Sequence, residues 1–126
     1  QRGAAVIVND LGSSMHGEGA DGSVADEVVE EIRRNGGRAM ASHHSVASPE
    51  GGEAIVRTAI EHFGRLDAVV SNAGIFGSVD FENLTTDEWR RMLNVHLDGS
   101  FFLSQPAFRV MKSQRYGRFV FTSSFR

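Results

Sequence analysis

Four short apolar runs, residues 4–8 (AAVIV), 38–42 (RAMAS), 66–71 (LDAVVS) and 118–122 (RFVFT), punctuate the chain, with stretches long enough for helices between them. The first run stops at Asn9-Asp10 and the third at Asn72-Ala73-Gly74, residues that favour turns. The first, a continuous apolar run bounded by turn residues, reads as a strand buried on both faces, and the other three read as further strands. Strands joined through helices lie parallel, because a parallel pair cannot be closed by a tight hairpin and needs a crossover. The alternation of four strands with three helical stretches therefore predicts a parallel α/β sheet with right-handed crossovers. At 126 residues the expectation is a single domain with its own hydrophobic core, and no internal repeat, linker or low-complexity block divides the sequence.

Ser23, with Asp26 three residues on, is expected to cap the first helix, which buries Val24, Val28 and Ile32 and stops at Gly36-Gly37. Ser48-Pro49 is expected to cap the second, with proline at the first helical position where its missing N–H costs nothing. Its apolar stripe is Ile55, Val56, Ala59, Ile60 and Phe63. Thr85 or Thr86 opens a third helical stretch running to Gln114, which Gly99 and Pro106 are expected to bend or divide. Trp89, Met92, Leu93, Leu97, Phe101, Phe102, Phe108 and Met111 spread apolar surface around more than one face of that stretch, a pattern that serves core burial or a partner subunit equally.

Charge and composition remove several classes of function. A net charge of −3 leaves no basic surface for nucleic acid. No apolar run approaches the roughly 20 residues needed to span a bilayer, and the start lacks the order of a signal peptide, so no membrane partner is expected and the expected compartment is the cytoplasm. The absence of cysteine excludes disulfides, thiolate catalysis and thiolate-bound zinc from these residues. His43 and His44 are adjacent and point to opposite faces of a strand, and His16, His62 and His96 lack an i, i+4 ligand partner, so no metal site is expected.

Residues 17–22 spell GEGADG, the Gly-x-Gly-x-x-Gly pattern of a dinucleotide pyrophosphate loop. A working loop follows its strand at once, whereas here eight residues separate Val8 from Gly17, and the next strand ends in Ser42-His43-His44 without a carboxylate. GEGADG therefore reads as an ordinary loop. Asp10 is placed differently, at the carboxyl end of a strand, where a dinucleotide fold puts the carboxylate that accepts the adenosine-ribose hydroxyls. Taken alone, it reads equally as a turn-favouring aspartate.

VNDLG at 8–12, SNAG at 71–74, NVHLDGS at 94–100 and YGRFVFTSS at 116–124 stand in this order and, together with the helix ADEVVEEIRRNGG, resemble the short-chain dehydrogenase/reductase family, most closely its D-3-hydroxyacyl-CoA dehydrogenase branch. The resemblance implies a Rossmann-like doubly wound parallel sheet, here strands 2 to 5 of the 3-2-1-4-5-6 order. It implies an NAD-dependent oxidoreductase acting on a secondary alcohol or ketone, a 3-hydroxyacyl thioester by preference. It places the cofactor against Asp10, Leu11, Ser45, Val46, Asn72, Ala73, Gly74 and Val95. It gives Ser124 the task of hydrogen-bonding the substrate oxygen and Asn94 that of holding a relay water. It also implies a homo-oligomer formed through the helix around residues 87–114.

Two features of this sequence qualify the likeness. Asp10 would repel a 2′-phosphate, and residues 3–32 hold no Lys or Arg to neutralise one, so NAD is expected over NADP. His44 stands where the close relatives carry an aspartate for the adenine amino group. On the resemblance, the family's glycine loop would lie before Gln1 and its Tyr-x-x-x-Lys pair beyond Arg126; Tyr116 has Val120 four places on and cannot supply that pair. The strands at 4–8 and 67–71 would then each face an open slot, with exposed edges that favour association. A different class of protein, a non-catalytic α/β module that binds nucleotide weakly or only assembles, is the alternative reading. A receiver-type signalling domain would want a phosphorylatable Asp at a strand end, whereas Asp67 begins its strand.

Overall fold

The computed structural model describes residues 3–12, 22–77 and 79–123. Residues 17–21 of GEGADG and Ser124 lie outside the described residues. Four strands, β1 (Ala5–Asn9), β2 (Arg38–Ser42), β3 (Ala68–Ser71) and β4 (Arg118–Phe121), alternate with helices α1 (Ser23–Arg34), α2 (Pro49–Phe63), α3 (Thr86–Leu93) and α4 (Gly99–Gln114). Among the described residues the pairing is parallel, Ala5 opposite Arg38 through Asn9 opposite Ser42, and Ala68 opposite Arg118 through Ser71 opposite Phe121. The pairs β1–β2 and β3–β4 share no ladder hydrogen bonds with each other, so β1 and β3 each keep one open edge among the described residues, as the 3-2-1-4-5-6 order implies for strands 2 to 5.

Helices join the two pairs. α2 packs on β1, β2 and α4, and α4 packs on β3. The shared core is Ile55, Val56, Val69, Leu103, Ala107 and Met111, with Val46, Leu66, Val110 and Phe119 against it. Pro106 sits inside α4 without dividing it. Proline has no N–H for the carbonyl four residues back, and that carbonyl, of Phe102, faces Gly52 of α2, where a Cβ would collide with it. At the far end of α4 the Gln114 amide donates to the Leu66 carbonyl (2.6 Å) and accepts from its N–H (3.0 Å), setting the entry to β3.

Three expectations are corrected. The expected Ser23 cap is instead the first residue of α1, with Gly22 as N-cap; the helix buries Ala25 and Val29 and leaves Val24 and Val28 exposed, a rotation of one residue from the expected face. The first strand is not buried on both faces, since Val6 is exposed, as are Val70 and Val120 on the later strands. The third helical stretch divides just before Gly99, through a π-helical segment, Asn94–Asp98, between α3 and α4, and not at Pro106. The capping of α2 is as expected: the Ser48 hydroxyl accepts from the Gly51 N–H at 3.1 Å, with Pro49 in the first turn.

Thr85 caps α3 in a reciprocal box, accepting from the Glu88 N–H (3.2 Å) while the Glu88 carboxylate accepts from the Thr85 hydroxyl (2.6 Å) and N–H (2.9 Å). The hydroxyl bond, then the backbone bond, hold the Glu88 carboxyl below its ordinary value. A carboxylate with a depressed folded pKa stabilises above its unfolded pKa, and that contribution disappears as pH falls through the folded value. In urea unfolding of the natural polypeptide containing residues 1–126, followed from about pH 6 to about pH 3, Glu88→Gln should flatten the acid loss of stability. Parallel slopes for the two proteins would show that the box carries no acid dependence.

Candidate functional site

Parallel strands send all their carboxyl ends the same way, and those ends gather most of the sequence-expected residues. Asp10 and Leu11 follow β1, Ser45 and Val46 follow β2, Asn72, Ala73 and Gly74 follow β3, and Thr122-Ser123 follow β4. Asp10 is exposed, and its Oδ1 accepts from the Gly12 N–H at 2.6 Å in a tight turn that Gly12 completes at φ 72°. The Asp10 N–H continues the ladder to the Ser42 carbonyl at 3.1 Å. The carboxylate is thus fixed in direction at the strand tip. His43 lies beside it, with Nδ1 3.4 Å from the Asp10 carbonyl and Nε2 3.4 Å from Asp26 of α1.

Asn9, which sequence reasoning passed over, organises the next loop. Its Oδ1 accepts from the Ser42 hydroxyl (2.7 Å) and the His44 N–H (3.2 Å), and its Nδ2 donates to the His44 carbonyl (3.0 Å). One side chain thereby fixes the backbone of His44, the position that departs from the resemblance. The Ser45 hydroxyl accepts from the Ala47 N–H (3.2 Å), the Ser45 carbonyl sits where a Cβ on Gly51 would be, and Val46 packs on Gly99 at the start of α4. The loop after β2 is therefore tied to the second strand pair as well as the first.

After β3, the Thr122 hydroxyl donates to Asn72 Oδ1 at 2.7 Å, joining the tips of β3 and β4. Ser100 Oγ donates to the His96 carbonyl (2.9 Å) and lies 3.2 Å from Ser71 Oγ, so the Ser71 hydroxyl supplies the proton between them. Asn94 and Val95 lie on the π-segment. With its amide oriented to suit its neighbours, Asn94 Nδ2 donates to Asp98 Oδ2 (3.1 Å) and the Arg90 carbonyl (3.3 Å). Tyr116 stands at the opposite ends of the strands, just before β4, with the Arg118 guanidinium 4.9 Å from its ring centre. The sequence carried a signal for Asn9 only in its position beside Asp10, and none for the π-segment, whose extra residue per turn leaves no periodic trace.

The sequence profile described as "short chain dehydrogenase" matches residues 12–126. "Peroxisomal multifunctional enzyme type 2" of Mus musculus is 49% identical over 124 residues, which cover 98% of this chain and 16% of that protein. "Peroxisomal hydratase-dehydrogenase-epimerase" of Saccharomyces cerevisiae is 46% identical over 123 residues, 98% of this chain and 13% of the relative. The chain thus spans less than a fifth of the length of these two relatives. A crystal structure of a short chain dehydrogenase from Mycobacterium avium superposes with a TM-score of 0.83 at 36% identity, covering 97% of this chain and 45% of that one. No helix among the described residues is long and apolar enough to cross a membrane.

Removing the Asn9 side chain should loosen this end of the sheet. Asn9→Ala takes away three hydrogen bonds and leaves the Ser42 hydroxyl, on a residue 4% exposed, without its acceptor. The expected loss is about 1–3 kcal/mol, read from the urea midpoint, and Asn9→Asp, which keeps the acceptor, should lose less. An unchanged midpoint for Asn9→Ala would show that these bonds contribute nothing net.

Proposed function

This chain belongs to the short-chain dehydrogenase family, and we propose that the protein containing it transfers a hydride between NAD and a secondary alcohol or ketone, a 3-hydroxyacyl thioester by preference. The carrying observation is Asp10, an exposed carboxylate held at the tip of β1 by the Gly12 N–H, where a ribose diol would find its acceptor. The donor set around it suits the adenosine half of a dinucleotide: exposed backbone at 72–74 with no large side chain at Ala73 or Gly74, and a pinned loop at 44–46. No Lys or Arg occurs in residues 3–32 to balance a 2′-phosphate, which favours NAD over NADP. Leu11, Ser45, Val46 and Val95 complete the proposed cofactor contacts.

Bound there, NAD would supply the hydride acceptor. The chain's own residues would do the positioning. Ser124 would hydrogen-bond the substrate oxygen and favour its developing charge. Asn94 donates its amide hydrogens within its own helical stretch, which leaves its amide oxygen to accept from a water in the proton path. Exposed Trp89, Leu97, Phe101 and Phe108 along residues 87–114 support a homo-oligomeric assembly through that stretch. On this reading the compartment is the cytoplasm, while the mouse and yeast relatives above carry peroxisomal names.

The test is reduction of NAD by the natural polypeptide containing residues 1–126, with 3-hydroxyacyl thioesters set against simple secondary alcohols and with NADP run in parallel. We expect turnover with NAD, a preference for the thioester, and a rise of about tenfold or more in the KM for NAD in Asp10→Ala, the size of a lost charge-assisted hydrogen bond. Equal use of NADP, or an Asp10→Ala enzyme with the parent's KM, would remove Asp10 from this role. No reduction with any alcohol would favour the non-catalytic module.

A further inference from the structure

Gly74 is not among the described glycines with positive φ, which are Gly3, Gly12, Gly36 and Gly64, so no backbone torsion requires glycine there. Space does. A Cβ on Gly74 would lie 2.7 Å from Cε1 of the His96 ring, closer than carbon atoms approach. The same ring places Nε2 2.8 Å from the Ile75 carbonyl oxygen and 3.2 Å from the Ile75 nitrogen. Both polar groups of one residue are thus within reach of one ring nitrogen. With the proton on Nε2 the ring donates to the carbonyl, and with the proton on Nδ1 it accepts from the N–H, so either neutral tautomer keeps a hydrogen bond to Ile75.

The ring is itself held from behind. His96 lies on the π-segment Asn94–Asp98, where the Gly99 N–H bonds the Asn94 carbonyl five residues back. The His96 carbonyl receives the Ser100 hydroxyl, and Ser100 in turn faces Ser71 at the end of β3. Ile75, on the other side of the ring, is 8% exposed and anchors the loop in the interior. Loop, strand tip and helix are therefore joined in one closed circuit through His96. His96 thus sits within the wide turn itself, from which its ring reaches Ile75.

We propose that His96 is a positioning residue: it latches residues 72–75 to the π-segment and so sets the affinity of this loop for the dinucleotide. The inference rests on the reading of Asn72, Ala73 and Gly74 as cofactor-facing. His96 touches neither cofactor nor substrate in this scheme. Its loss should raise the KM for NAD and leave kcat near the parent value, because the loop holds the dinucleotide in ground and transition states alike.

The test uses the natural polypeptide containing residues 1–126 and the variants His96→Leu, His96→Gln and Gly74→Ala, with steady-state kinetics in NAD and hydrogen exchange across residues 72–77. His96→Leu fills the ring's space without a polar atom, and should raise the KM for NAD about 3- to 10-fold, the size of one net hydrogen bond, while accelerating exchange in the loop. His96→Gln, which can still donate to the Ile75 carbonyl, should restore most of the affinity. Gly74→Ala, which displaces the ring from the loop side, should accelerate exchange across residues 72–77 without NAD present if His96→Leu does not fold, and unchanged exchange there would overturn the latch. A His96→Leu enzyme with the parent's KM, or one that loses kcat with KM unchanged, would overturn the proposal. A parent protein without affinity for NAD would overturn the cofactor reading and the positioning role together; faster loop exchange in His96→Leu would then show that the contact itself still holds the loop.

Discussion

Gly52 of α2 lies so close to the Phe102 carbonyl of α4 that no side chain fits between them, and the two strand pairs depend on this approach for their relation to one another. No ladder bond runs between β1–β2 and β3–β4. What spans them is α2, packed on the first pair, against α4, packed on the second, through Ile55, Val56, Leu103, Ala107 and Met111. Pro106 is part of the same device. It leaves the Phe102 carbonyl without its usual helical donor, and the bare Gly52 lets α2 come up against that carbonyl, where a weak Cα–H contact can form. The exposed ion pair between Arg109 and Glu53, at 2.8 Å, crosses the same helix pair but adds little, since both side chains are more than half exposed.

The strand tips inherit their positions from this packing. Val46 touches Gly99 because α2 and α4 are close, and the loop that follows β2 is thereby held near the π-segment. From there the polar links take over: Asn9 to His44, Thr122 to Asn72, Ser71 to Ser100 and His96 to Ile75. These are short local bonds across strand ends and loops, and each ties two segments distant in sequence. The result is a row of backbone and small side chains with one fixed carboxylate, Asp10, at its edge. Such a row suits a ligand that is bound mainly by its sugar and base edges.

Much of this was legible from local rules. The apolar runs located all four strands to within two residues at each end, and the turn residues that ended them marked the carboxyl tips where Asp10 and Asn72 stand. Spacing alone separates GEGADG from β1, which ends at Asn9, and residues 17–21 of it lie outside the described residues. Other features depended on tertiary context. The buried face of α1 is fixed by where β2 lies, and choosing Ala25 and Val29 over Val24 and Val28 took a rotation that hydrophobicity did not favour. The π-segment arises where α3 and α4 join, and residue order gives no sign of one extra residue in a turn. The contacts of Asn9 and His96 leave no trace in the sequence for the same reason: their partners, His44 and Ile75, are 35 and 21 residues away.

A structure of the natural polypeptide containing residues 1–126 with NAD bound would test the central claim most directly. The account predicts the adenosine ribose on the Asp10 carboxylate, adenine beside residues 44–46, and the loop at Asn72, Ala73 and Gly74 against the dinucleotide. A dinucleotide seated on residues 17–22, or a ribose turned away from Asp10, would contradict it.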